Sequence, residues 1–263
     1  MTSRPANRAK TLKEAYRACE VNPLTGENMA RYYVDLSAVP NTEAIEGVST
    51  DLDIHEPGEF DTILFTGDRE CDISTELKRI QSQCENAYRV IYREFDWERD
   101  VNEAEYTDLY LLLSKKVADD LTELRLNFDP KLLESFEAGF KDVTEETEAS
   151  AGAEIPFISK LAAKLITQIR GSSQQKKVSR ETIGRNLSRW QTDINLWLKN
   201  AFDKLKRKYP DRYQKGFLVI VDNLDRIHPS VGNHLFFDEA PQLQELDCTI
   251  IYRVPILVIY LYI

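Results

Sequence analysis

Residues 62–77 read TILFTGDRECDISTEL, and the fold turns on them. Thr62–Thr66 is a short apolar run with β-branched and aromatic residues, the composition of a strand. A tight loop follows, and from Ser74 the run STELKRIQSQCEN reads as a helix. Tyr88–Phe95 (YRVIYREF) then reads as a second strand. Strand, loop, helix and strand in that order mark a parallel sheet, because parallel neighbours need a crossover connection that is usually helical. The expected class is therefore α/β.

Working outward, residues 1–60 form an N-terminal layer. It is expected to hold a helix from about Ala9 to Glu20, a short strand at Tyr32–Leu36, a helix from Asn41 to about Leu52, and a turn at His55–Gly58. The core is expected over 61–263, interrupted by a helical insertion at about 130–212. A long amphipathic helix spans about Tyr106–Asn127, with further helices at about Pro156–Arg170 and Arg180–Tyr209. In the last of these Ile183, Leu187, Trp190, Ile194, Trp197 and Leu198 recur every three or four residues, which marks a packing face. The acidic stretch 142–153 and the polar stretch 171–177 read as loops. Phe217–Val221 (FLVIV) is the third strand, apolar throughout as a strand buried on both faces should be. Cys248–Tyr252 is the fourth. The uncharged tail 254–263 (VPILVIYLYI) has high β-propensity and is expected either to pair as an outer strand or to mark a truncated product; truncation is the favoured reading.

The loop after the first strand has half of a phosphate-binding pattern. In G-x-x-x-x-G-K-[ST], backbone N–H groups surround the phosphates, the lysine neutralises them and the hydroxyl holds magnesium. Gly67 and Ser74 keep this spacing and Thr75 follows, but Asp72 stands at the second glycine and Ile73 at the lysine. Glu70 and Asp72 bring negative charge towards a polyanion, and each like-charge pair at about 4 Å costs about 4 kcal/mol at an effective dielectric of about 20. Ile73 supplies no cation. Arg69 is the substitute phosphate contact in the candidate set of Gly67, Arg69, Ser74 and Thr75.

The third strand runs into Asp222-Asn223-Leu224-Asp225-Arg226. An aspartate at the carboxyl end of a buried strand lies where open α/β sheets bind ligands. Asp222 is the expected Mg2+ residue, alone or through water. Asn223 orients a water without taking its proton, which leaves Asp225 as the candidate base.

Together, Phe65-Thr66-Gly67, Ser74-Thr75-Glu76-Leu77 and Val221–Arg226 resemble the bacterial P-loop ATPases of the AAA+/STAND/KAP grouping. Leu235–Phe237, Ala240–Leu243 and Ile250–Pro255 resemble the sensor-strand region of that grouping, with Arg253 where a polar residue, often threonine, is usual. The resemblance implies a three-layer P-loop NTPase sheet, mainly parallel, in strand order 2-3-4-1; relatives also carry a fifth core strand and a helical lid domain, for which this chain is expected to have no room. It implies ATP and Mg2+ as cofactors, with Asp222 and Ser74 on the metal, and the loss at Ile73 counts against both. The reading is a nucleotide-binding domain deficient in ATP hydrolysis, acting as a binding or regulatory module. The alternatives are an active ATPase whose cation comes from Arg69 or a neighbouring subunit, and a nonfunctional fragment.

Composition narrows the partners. The chain has 263 residues and a net charge of -10, which argues against nonspecific nucleic-acid binding while leaving room for a local basic patch; a protein partner or homo-oligomer is the expected partner besides nucleotide. Cys19, Cys71, Cys84 and Cys248 form no C-x-x-C pair, as in a cytoplasmic protein with reduced thiols. No apolar run reaches the about 18 residues of a membrane span. His55, His228 and His234 have no tight metal spacing and are expected in surface or packing roles.

Overall fold

All six residues of the strand Phe217–Asp222 are buried, and a parallel sheet is assembled around it. In the computed structural model the described residues are 11–13, 16, 23–34, 43–67, 73–95, 104–126, 131, 134, 160, 162–163, 166–167, 177, 180–181, 184 and 187–260. They fall into two compact units: Met1–Ile54 with Asp68–Cys84, and His55–Gly67 with Glu85–Ile263.

The second unit holds the sheet. Its strands are β1 (Thr62–Phe65), β2 (Arg89–Glu94), β3 (Phe217–Asp222) and β4 (Thr249–Arg253). They lie in the order β1-β4-β3-β2 with every pairing parallel, the 2-3-4-1 order expected from the sequence. Register sets the faces: Ile91 pairs with Val219, and Val219 with Ile250. Ile91, Phe217, Val219, Val221, Ile250 and Tyr252 accordingly share one core with two long helices. Labelled in chain order with those of the first unit, these are α4 (Tyr106–Glu123) and α5 (Leu187–Lys208).

α4 is fixed at its start by a reciprocal cap between Glu105 and Asp108, both of which also meet Arg180. Arg89 grips Asp120 through two bonds of 2.8 and 2.6 Å, tying α4 to the start of β2. α5 buries Trp190, Ile194, Trp197, Leu198, Ala201 and Leu205 on one stripe, as their spacing predicts. Lys206, Arg207 and Lys208 in its last turn oppose the helix dipole, and Pro210 follows. Gly216 then takes φ +93 on entry to β3, a conformation that a side chain would resist.

After β3 come a 3-10 turn (Leu224–Arg226), α6 (Pro229–Asn233), a π turn (His234–Asp238) and α7 (Ala240–Leu243). Of the two readings of the tail, the outer strand is corrected. Ile256–Tyr260 is a helix, α8, and not an outer strand. Pro255 has no N–H for a ladder but suits a helix start, and Val258 then packs fully buried over Gly232. A Cβ on Gly232 would lie 2.6 Å from Val258 Cγ2. Gly232→Ala is expected to cost about 1–3 kcal/mol in urea unfolding, with Val258→Ala in the same chain recovering part of the loss.

The first unit contains α1 (Gly26–Tyr32), α2 (Glu43–Ile54) and α3 (Ile73–Cys84). The expected strand at Tyr32–Leu36 is corrected here: Tyr32 closes α1, Tyr33 and Val34 are unpaired as strand, and residues 35 and 36 lie outside the described residues. Tyr33 instead donates its hydroxyl to Glu76 at 2.9 Å and receives Arg79 at 2.7 Å. Burial and the Glu76 carboxylate push its phenol up to about 12. In the expected helix Ala9–Glu20, the described residues Leu12, Lys13 and Tyr16 are helical and Thr11 is a bend. Lys177, read as loop, is helical and lies 3.9 Å from Glu181. The expected loop 142–153 lies outside the described residues. Among the described residues no helix is long and apolar enough to cross a membrane.

Candidate strand-end site

Tyr92 pairs with Ile220, and Ile220 with Ile251, so alternation puts Tyr92, Asp222 and Arg253 on one face at the carboxyl ends of β2, β3 and β4. This is the face opposite Val219 and Tyr252. Tyr92 donates its hydroxyl to Asp222 Oδ2 at 2.5 Å. Arg253 Nη1 donates to Asp222 Oδ1 at 3.0 Å, and the backbone N–H of Asn223 donates to the same oxygen at 2.7 Å. Arg253 Nη2 reaches Asp225 Oδ2 at 3.3 Å. One guanidinium thus bridges two carboxylates. Asp222, Asp225 and Arg253 are only 1%, 8% and 7% exposed.

Burial, followed by the hydrogen bond to Asp222, raises the Tyr92 phenol far above its ordinary range. It therefore remains a neutral donor at any physiological pH. Asn223 adopts the left-handed conformation, φ 69 and ψ 9, which asparagine tolerates better than most side chains. That turn starts the 3-10 segment and carries Asp225 back to Arg253. The strand ends are pinned as well: Phe95 N–H donates to Asp222 O at 2.9 Å, Val254 N–H to Phe65 O at 2.9 Å, and Thr66 Oγ1 to Val254 O at 3.1 Å.

The structure brings Asp222, Asn223 and Asp225 together and adds Arg253 and Tyr92. Gly67 follows β1 in the same unit. Ser74 and Thr75 open α3 in the first unit, where Thr75 is buried and its hydroxyl accepts the Leu24 N–H at 3.0 Å. Arg69, with Asp68 and 70–72, lies outside the described residues. Sequence reasoning missed Tyr92. The available signal was period-two alternation in YRVIYREF, but it identifies a partner only once the β2–β3 register is known.

The donor set at Asp222 does not fit a divalent cation. A carboxylate has about four lone-pair positions, and three donors already take up most of them. A doubly charged ion about 4 Å from the guanidinium would be opposed by about 8 kcal/mol at an effective dielectric of about 20. Among the described residues no group of three or more His, Cys, Asp or Glu side chains could hold a metal ion.

The other sequence candidates have structural roles. His228 caps α6 by accepting from Ser230 N–H at 3.3 Å, and His234 lies 3.3 Å from Asp238. His55 is 4.0 Å from Asp61. Cys84 and Cys248 are buried free thiols, and burial pushes Cys248 up to about 12, which keeps it unreactive. Fold and site define a parallel α/β domain whose strand-end acid is held by arginine and tyrosine. Comparison with protein-family models, curated proteins and solved structures gives no match to this chain.

Proposed function

We propose that this chain is a P-loop NTPase-like nucleotide-binding domain that does not hydrolyse ATP and serves as a binding or regulatory module for a protein partner or a second copy of itself. The observation that carries this reading is the occupied carboxylate of Asp222, whose two oxygens receive Tyr92, Arg253 and the Asn223 N–H. An acid so engaged neither positions a metal nor takes a proton from water. The parallel order β1-β4-β3-β2 supports the P-loop ancestry, and Asp72 and Ile73 in the phosphate loop support the loss of catalysis. The free thiols Cys84 and Cys248 support a cytoplasmic setting, where thiols stay reduced.

Calorimetric titration with ATP, beside an assay of phosphate release, tests the reading. The expected result is no turnover in the wild type and no change on Asp222→Ala. Asp72→Gly with Ile73→Lys is expected to tighten ATP binding at least about tenfold, since it removes one repulsive charge and adds one attractive charge. Phosphate release by the wild type that Asp222→Ala abolishes would instead establish an active ATPase.

A further inference from the structure

We propose that Arg253 is the resident cation of the strand-end site, standing where a divalent metal would otherwise be held. That a metal has a place there at all rests on the nucleotide-binding reading above; its exclusion by Arg253 does not.

The guanidinium meets the geometric demand that a metal would meet. It lies between two acids from different elements, 3.0 Å from Asp222 Oδ1 and 3.3 Å from Asp225 Oδ2. It is itself 7% exposed, so water does not screen it. Its position is set by the end of β4, whose Tyr252 pairs with Val221, the residue before Asp222. The fork of an arginine spans two carboxylates in a way that a lysine ammonium cannot. Tyr92 closes the second oxygen of Asp222 from the β2 side. The guanidinium occupies the space between the two carboxylates, so a divalent ion bridging them would have to sit against it, although Glu94, beside Asp222 in register, adds negative charge nearby. Without Arg253, the same two carboxylates would suit Mg2+ or Mn2+, which need only one or two protein carboxylates besides water.

The test uses Mn2+ alone, without nucleotide, so that its failure is separable from failure of ATP to bind. Mn2+ binding is followed by the loss of its free-ion electron paramagnetic resonance signal and by the melting temperature. Wild type is expected to bind no Mn2+ through Asp222, with identical curves for wild type and Asp222→Asn. Arg253→Met is expected to gain one site, with the melting temperature raised by about 5 °C at about 100 times the Kd. Arg253→Met with Asp222→Asn is expected to lose that gain. Wild-type binding that Asp222→Asn removes would overturn the proposal, and so would a folded Arg253→Met that gains no site. If Arg253→Met does not fold, the wild-type comparison still decides, since it needs no change at Arg253.

Discussion

Arg253→Met is expected to destabilise the sheet-bearing unit by about 3–5 kcal/mol, the usual cost of removing one partner from a buried ion pair. The loss is large because the substitution removes the cation shared by two buried acids. Asp222 is 1% exposed and Asp225 8%, so water does not replace the lost guanidinium. Asp222 would keep Tyr92 and the Asn223 N–H, which holds the cost below that of a bare buried charge. Asp225 would lose the Arg253 contact altogether. Arg253→Lys is expected to recover only part of the loss, because one ammonium does not fork between two carboxylates. The measurement is guanidinium chloride unfolding at neutral pH. The control is Arg253→Met combined with Asp222→Asn and Asp225→Asn, in which no stranded charge remains. It is expected to be more stable than Arg253→Met alone, with a coupling of about 0.5–3 kcal/mol. A single-variant loss below about 1 kcal/mol would show that the guanidinium adds nothing to the fold.

The four strands were legible to within a residue at each end. Phe217–Val221 was expected and Phe217–Asp222 is found; Cys248–Tyr252 was expected and Thr249–Arg253 is found. β3 and β4 are legible because burial on both faces demands nearly continuous apolar residues, and β1 and β2, only partly buried, are legible from their β-branched and aromatic residues on either side of a loop and helix. The long helices were legible for a related reason, the three-to-four spacing of Leu109, Leu113 and Val117 or of Trp190, Ile194 and Trp197. Tyr32–Leu36 and the tail misled because β-propensity is a weak preference that tertiary contacts override. In the first case Tyr33 is committed through its hydroxyl to Glu76 and Arg79, and in the second Val258 has a seat on Gly232.

The site was legible only in part. Asp222 could be placed from its position at the end of a buried strand, and Arg253 from the resemblance in the fourth strand. Their direct contact could not, because it depends on β3 and β4 being neighbours in a particular register. Tyr92 was hidden more deeply. In YRVIYREF it is one of two tyrosines in a strand-like run, and nothing local separates it from Tyr88. Only the pairing of Tyr92 with Ile220 puts it on the face of Asp222. Asp225 was read as a base, and the structure shows it in an ion pair with Arg253.

The opposite face of the sheet supports a second large effect. Trp197→Ala is expected to cost about 3–5 kcal/mol, because the indole is 1% exposed and packs into the core shared with β3 and β4. It borders an apolar cavity of about 10 Å3, lined also by Tyr110, Val117, Val219 and Cys248, so part of the surroundings is already incompletely filled. Burial of a tryptophan removes about 150–250 Å2 from water, which at about 25 cal/mol per Å2 gives the same order of loss. Leu196, one residue away on α5 and 47% exposed, is the control, with an expected change within about 0.5 kcal/mol. Chemical unfolding of both variants tests the pair, and equal losses would mean that α5 does not pack as described. Trp197 and Arg253 serve opposite faces of one sheet. The two losses are therefore expected to add within about 0.5 kcal/mol in the combined variant. A larger coupling would mean that β3 transmits strain between its faces, since Val219 and Val221 point to the helices while Asp222 points to the arginine.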